Sequence, residues 1–107
     1  MYYHDIRQVK QAARDNGNHF FDPSAMRYFD SRIGSRVYGG KYFVTSERFH
    51  GTNESLPRRY TLRQVTHENG RFDIDTVGEF QQFATRSEAT KQAEQLAARH
   101  ALELATI

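Results

Sequence analysis

The stretch RYTLRQVTHENGRFDIDTV, residues 59–77, decides the fold. Apolar residues alternate loosely with polar ones on either side of Asn69-Gly70, the dipeptide most often found turning a β-hairpin. Arg59 to Thr66 therefore reads as one strand. Arg71 to about Phe83 reads as the next, with a break expected at Gly78. Two registers are open. A two-residue turn at Asn69-Gly70 sets Val65 opposite Ile74 and points Tyr60 and Leu62 the other way, dividing the apolar residues between faces. A three-residue loop, Glu68-Asn69-Gly70 with Gly70 left-handed, sets Leu62 opposite Thr76 and Gln64 opposite Ile74. Tyr60, Leu62, Phe72 and Ile74 then share one face, and Arg63 lies opposite Asp75 on the other. A slip of one residue reverses every side chain, so one buried apolar face selects the three-residue loop.

Upstream of this hairpin, Tyr42-Phe43-Val44-Thr45 is aromatic and β-branched, and a strand is expected from there to Arg48 or Phe49. His50 to Pro57 is a polar turn between strands. Ser31 to Gly40 carries three glycines among Arg32, Arg36 and Tyr38 and reads as an irregular loop rich in donors. Before it, Asp22-Pro23 has the form of a helix cap with proline in the first turn. That cap opens a short helix to about Asp30, with Met26 and Phe29 inward. His19-Phe20-Phe21 is either an edge strand or an anchor. A first helix is expected over Tyr3–Asn16, with Ile6, Val9, Ala12 and Ala13 on one face and Asn16-Gly17 as its stop.

Downstream, Thr85-Arg86-Ser87-Glu88 is a capping box. Ala89, Ala93, Leu96, Ala97, His100, Ala101 and Leu104 follow at helical spacing to about Ala105. Three antiparallel strands need such a cover. The fold class is therefore α+β: one domain over residues 1–107, a three-stranded antiparallel sheet under a C-terminal helix, with N-terminal helices alongside.

Composition sets the outer limits. The chain has 107 residues and a formal charge of +2, and it holds no cysteine. A disulfide framework, a thiolate metal site and a cysteine nucleophile are thereby excluded. Leu, Ile, Val and Phe together number 22, a small aliphatic supply that eight Phe and six Tyr supplement. No run approaches the ~18 apolar residues that mark a membrane span, and Met1 leads into polar residues rather than a signal sequence. The basic residues are 12 Arg and only 3 Lys. Arg brings a planar fork suited to carboxylates, phosphates and aromatic faces, where Lys brings a mobile point charge.

Catalytic patterns are sparse. Asp73 and Asp75 form a D-x-D on one strand face, best read as a solvated pair facing Arg63. Histidines 4, 19, 50, 67 and 100 lack ligand spacing. Ser46 and His50 lack the strand–turn–helix elbow of an activated nucleophile. Gly34, Gly39 and Gly40 fit no phosphate-loop spacing. No metal, cofactor or catalytic residue is expected, and the protein reads as a non-enzyme. What remains is Arg with Tyr: Arg32, Arg36, Tyr38 and Lys41 about the glycine-rich loop, and Arg58, Arg59 and Arg63 on the following strand. Such residues serve protein interfaces or phosphate contacts. They also serve structure, as when Arg32 or Arg36 is tied to Asp30 or Glu47.

The element order helix, strand, strand, strand, helix resembles that of double-stranded-RNA-binding domains over roughly the last 65 residues. That family places lysines at the start of its final helix. Here Arg86 is followed by Glu88, with only Lys91 beyond. The strings NGNHFFDPSAMRYFDSRIG, VYGGKYFVTSE, RRYTLR and GEFQQFATRSEA, between Asn16 and Ala89, resemble a small family encoded by phages, plasmids and other mobile elements. That resemblance implies a cytoplasmic accessory protein. By analogy of context it implies an inhibitor, of anti-CRISPR kind in its sharpest form, that binds and blocks a host protein or ribonucleoprotein complex. A small nucleic-acid-binding module using the Arg-rich strand and loop is the alternative.

Overall fold

The computed structural model describes residues 2–48 and 56–105. The chain runs α1 (Ile6–Asp15), α2 (Pro23–Tyr28), β1 (Arg32–Ile33), β2 (Tyr42–Glu47), β3 (Arg59–Glu68), β4 (Arg71–Val77) and α3 (Arg86–Ala105). The four strands make one antiparallel sheet in sequence order. The α+β class is as expected. The added element is β1, where Arg32 and Ile33 of the expected loop pair with Ser46 and Thr45 at the sheet edge. The polar turn expected over His50–Pro57 lies largely outside the described residues.

The hairpin takes the register that the sequence argument rejected. Glu68 pairs with Arg71, Val65 with Ile74 and Leu62 with Val77, so Asn69-Gly70 is a two-residue turn. Its φ values are 53° and 74°, positive at both central residues as a type I′ turn requires. Arg63 consequently faces Thr76, and Asp75 faces Gln64. The fault lies in the premise of a single buried face. Val65, Phe72 and Phe43 pack with Tyr3, Ile6, Val9 and Ala13 on one face of the sheet. Leu62, Tyr42 and Val44 pack with Ala89 and Ala93 on the other. A sheet covered on both sides needs its apolar residues divided, and the two-residue turn divides them. Gly70→Ala should therefore lower stability by about 1–2 kcal/mol, since a Cβ strains left-handed backbone. Urea denaturation would register this as a lower midpoint with an unchanged slope.

Each helix starts and stops for local reasons. Asp5 caps α1 by accepting from the Gln8 amide at 3.1 Å, two residues beyond the expected start. The Arg7 guanidinium and that amide together hold the Asp5 carboxyl below its ordinary range, the backbone bond contributing most. Pro23 opens α2 as expected, but Asp22 makes no side-chain cap bond and pairs with His19 instead. Phe20 and Phe21 are anchors, not a strand, with rings 6.1 and 6.0 Å from that of Phe43.

The capping box at α3 is present in a variant form. Thr85 Oγ1 accepts from the Glu88 amide at 3.2 Å, while the Glu88 carboxylate accepts from the Thr85 hydroxyl at 3.0 Å. Ala89 and Ala93 are fully buried, and Leu96 and Ala97 pack beside them. The small alanines let the loop below approach: a Cβ on Gly39 would stand 2.7 Å from that of Ala97. Past Ala97 the expected apolar stripe outruns the sheet. His100 is half-buried, Ala101 is exposed, and Leu102 and Leu104 are 68% and 60% exposed. Among the described residues, no helix is long and apolar enough to cross a membrane.

The strand expected to reach Phe83 stops at Val77. After a loop, the chain returns to pair Phe83 with Tyr60 through bonds of 2.8 and 3.0 Å. This detour carries Phe80 onto the α1 side of the sheet, over Arg63.

Candidate functional site

Three of the seven residues singled out from the sequence meet in one place. β1 and the segment after it bring Arg32, Arg36 and Tyr38 to a cleft of about 340 Å³. Tyr60 of β3 lies on its sheet side, and Arg86 and Thr90, from the first turns of α3, close it. Two local facts hold the β1 side in place. The Gly34 amide donates to the Val44 carbonyl at 2.9 Å, and the Tyr38 amide to that of Tyr42 at 2.7 Å. The Arg36 guanidinium lies 5.1 Å from the centre of the Tyr38 ring, a cation–π contact that stiffens a side chain otherwise free to swing.

The charge of this cleft is uncompensated. Arg32, Arg36 and Arg86 are exposed, and no ion pair joins any of them to an acid among the described residues. Glu88, the nearest acid along α3, is occupied by Thr85. Three arginines lining one concavity raise the local potential for an anion. A carboxylate or phosphate fits the planar fork of each.

The other four residues lie elsewhere, each with a physical reason. Arg58 donates to the Asp30 carboxylate at 2.6 Å and to the Asp30 and Ser46 carbonyls, tying the end of α2 to β2. Arg59 holds the detour after β4 through the Gln81 and Gln82 carbonyls at 2.8 and 3.0 Å. Lys41 rests its ammonium 5.2 Å from the ring centre of Tyr42. Arg63 is half-buried on the opposite face. The structural option raised for Arg32 and Arg36 thus belongs to two other arginines: Asp30 is taken by Arg58, and Glu47 by Arg63.

The Glu47–Arg63 pair forms a closed polar network. Glu47 is 1% exposed. Its Oε1 accepts from the Thr61 hydroxyl and its Oε2 from the Thr45 hydroxyl, both at 2.6 Å. Arg63 Nη2 reaches Oε2 at 3.4 Å, while its Nε and Nη1 donate to Thr45 and Thr76 at 3.1 and 2.7 Å. Burial pulls the guanidinium below its ordinary pKa, and the Glu47 charge pulls it back up. Alternation explains the grouping. Residues 45, 47, 61 and 63 all face the α1 side in paired strands. From the sequence, only Arg63 is expected on a solvated face, and Glu47 is offered as a partner to Arg32 or Arg36.

Arg86 is the cleft residue that the sequence argument missed as a site. It stood out only as the basic residue inside a helix cap, and nothing local places a helix start beside β1. The D-x-D acids stay on their strand without Arg63: Asp73 accepts from the Ile74 amide, and Asp75 from the Thr66 hydroxyl at 3.5 Å. Among the described residues, no three His, Cys, Asp or Glu side chains gather as metal ligands.

Residues 5–94 match a family of unknown function, DUF7447. The chain belongs to that family. The DUF7447 span begins at the Asp5 cap and ends in the middle of α3. It therefore takes in both faces of the sheet, the arginine cleft and the Glu47 network, and leaves out the exposed end of α3. No curated protein and no solved structure matches the chain.

Proposed function

We propose that this DUF7447 protein is a non-enzymatic binding protein that grips an anionic group of a partner macromolecule in the Arg32–Arg36–Arg86 cleft. Three exposed arginines from two distant segments line one cleft, with no ion pair to an acid among the described residues, and this observation carries the proposal. Arg and Tyr also suit it because they combine buried area with directional donors at interface centres. The partner we favour is a protein or ribonucleoprotein complex of the host, presenting acidic side chains or a phosphate-binding surface to be occupied. The likeness to mobile-element proteins supports the sharper form, an inhibitor that acts by blocking that surface.

The test is capture from host lysate by wild-type protein and by the Arg32→Ala/Arg36→Ala/Arg86→Ala variant. All three side chains are exposed, so the variant should unfold at the same urea concentration as wild type. A partner held by wild type and lost by the variant is the expected result. Equal capture by both, or none by either, defeats the proposal. The rival, nucleic-acid binding, is favoured by the same arginines and is separated by salt. Each phosphate contact on duplex DNA contributes a slope of about −0.9 in log K against log salt. A gel shift with that dependence, lost in the triple variant, would move the assignment to nucleic acid.

A further inference from the structure

A second concavity, on the opposite face of the sheet, has a different chemistry. It encloses about 260 Å³ between α2, the detour after β4 and the sheet, and is lined by Phe20, Met26, Phe29, Phe80, Glu47 and Arg63. Three phenylalanines and Met26 form most of the wall, Ser31 and Thr45 add hydroxyls, and the ion pair is the floor. Arg63 lies between two rings, 5.2 Å from the centre of Phe20 and 5.6 Å from that of Phe80. Phe29 and Phe80 approach each other across the rim, with centroids 5.3 Å apart.

This is a costly arrangement for a packed core. A buried ion pair gives little net stability over apolar side chains of equal volume, and a cavity beside it forgoes packing as well. The rim is also held under strain. Gln81 has a φ of 58°, which costs a non-glycine residue about 1 kcal/mol or more and recurs at ligand clamps. Four hydrogen bonds fix that segment: Arg59 to the Gln81 and Gln82 carbonyls, the Gln81 amide to Thr61, and the Gln81 side chain to the Glu47 carbonyl. An apolar concavity with a few fixed polar groups is the usual form of a small-molecule site.

The donor inventory narrows the ligand. A guanidinium has five N–H donors, and Arg63 spends three of them, on Thr45, Thr76 and Glu47. Both Glu47 oxygens already hold hydroxyl donors. Arg63 thus keeps two N–H donors, while three of the roughly four acceptor positions of the Glu47 carboxylate are taken; the floor offers donors ahead of acceptors, and its net charge is zero. A second anion would meet the Glu47 carboxylate; a neutral acceptor would not. The rings add a preference for a flat partner that can stack or pack edge-on.

We infer that this cavity binds a small neutral aromatic molecule bearing a hydrogen-bond acceptor, ring against Phe20, Phe29 and Phe80 and acceptor toward Arg63. Benzamide is the probe, followed through the ring resonances of the three phenylalanines and the Arg63 Nε–H in NMR titrations. Cyclohexanecarboxamide has the same acceptor without the flat ring, and benzoate the ring with a charge. Benzamide should shift all four signals and bind about tenfold or more tightly than benzoate, as juxtaposed like charges dictate. Phe80 is 39% exposed, so Phe80→Leu should fold normally. Loss of its ring should weaken benzamide about fivefold, while Phe80→Tyr should retain binding. Four results each overturn the inference: no shift in folded wild type, a benzamide affinity unchanged in Phe80→Leu, equal binding of cyclohexanecarboxamide, or tighter binding of benzoate.

Discussion

Glu47→Ala is expected to destabilise the protein by about 3–5 kcal/mol, the usual cost of removing one partner from a buried ion pair. The cause is what remains. Arg63 keeps its charge in a site where its side chain is 13% exposed, and the Thr45 and Thr61 hydroxyls lose their acceptor. Glu47→Gln separates these effects. It keeps an acceptor oxygen for one threonine but removes the counter-charge, so its cost should be smaller and still well above that of a surface change. Adding Arg63→Met to Glu47→Ala should recover part of the loss by removing the stranded charge. The hydroxyls of Thr45, Thr61 and Thr76 then remain to be solvated, which limits the recovery. Urea unfolding of these three variants and of Arg63→Met alone supplies the energies, and the sign of the coupling between positions 47 and 63 is the decisive quantity. If Glu47→Ala shifted stability by no more than the roughly 0.5 kcal/mol of an ordinary surface substitution, the buried network described above would be wrong.

The second large effect concerns the two faces of the sheet. Phe43 and Leu62 are both fully buried, on neighbouring strands, yet they belong to different clusters. Phe43→Ala should cost about 3–5 kcal/mol and Leu62→Ala about 2–5 kcal/mol, through lost transfer energy and the cavity left behind. Each is a large share of the ~5–15 kcal/mol that holds a domain folded, so the double variant is expected to be unfolded. Additivity is better read on Phe43→Leu with Leu62→Val. Because the sheet separates the two sites and they share no packing partners, their costs should add to within about 0.5 kcal/mol. Strong coupling would mean that both side chains fill one core.

That register shows where local information ends. Asn69-Gly70 carries its own turn chemistry, and the two-residue type I′ hairpin is what the dipeptide favours in isolation. On the premise of one buried face it loses, because Leu62 and Ile74 then face opposite ways, and a strand taken alone gives no sign that both directions lead to a core. The second cover comes from α1, together with Tyr3, some sixty residues upstream. Its short stripe of Ile6, Val9 and Ala13 was legible, but its destination was not. The same gap hid the Glu47 network. Arg63 reads as solvent-facing beside Asp75, and nothing local groups it with Thr45, Glu47 and Thr61 until α2 and the detour carrying Phe80 close over them.

The cleft was half legible. Arg32, Arg36 and Tyr38 are close in sequence and remain together in space. Arg58 precedes β3, while Arg59 and Arg63 lie four residues apart on it, and each reaches a different partner, so proximity in sequence was no guide. Arg86 joins the cleft through the packing of α3 on the sheet, a contact between segments some fifty residues apart.

By itself, the sequence determined the α+β class, the positions of the long strands, the Pro23 and Thr85 helix starts, the stop at Gly17 and the absence of thiol chemistry. These follow from short-range forces: capping, backbone restriction and periodic burial. The tertiary structure alone decided which faces of the sheet are buried, which arginines are neutralised and which are left facing a cleft. Those outcomes depend on desolvation and charge pairing between distant segments, which exist only once the chain has folded.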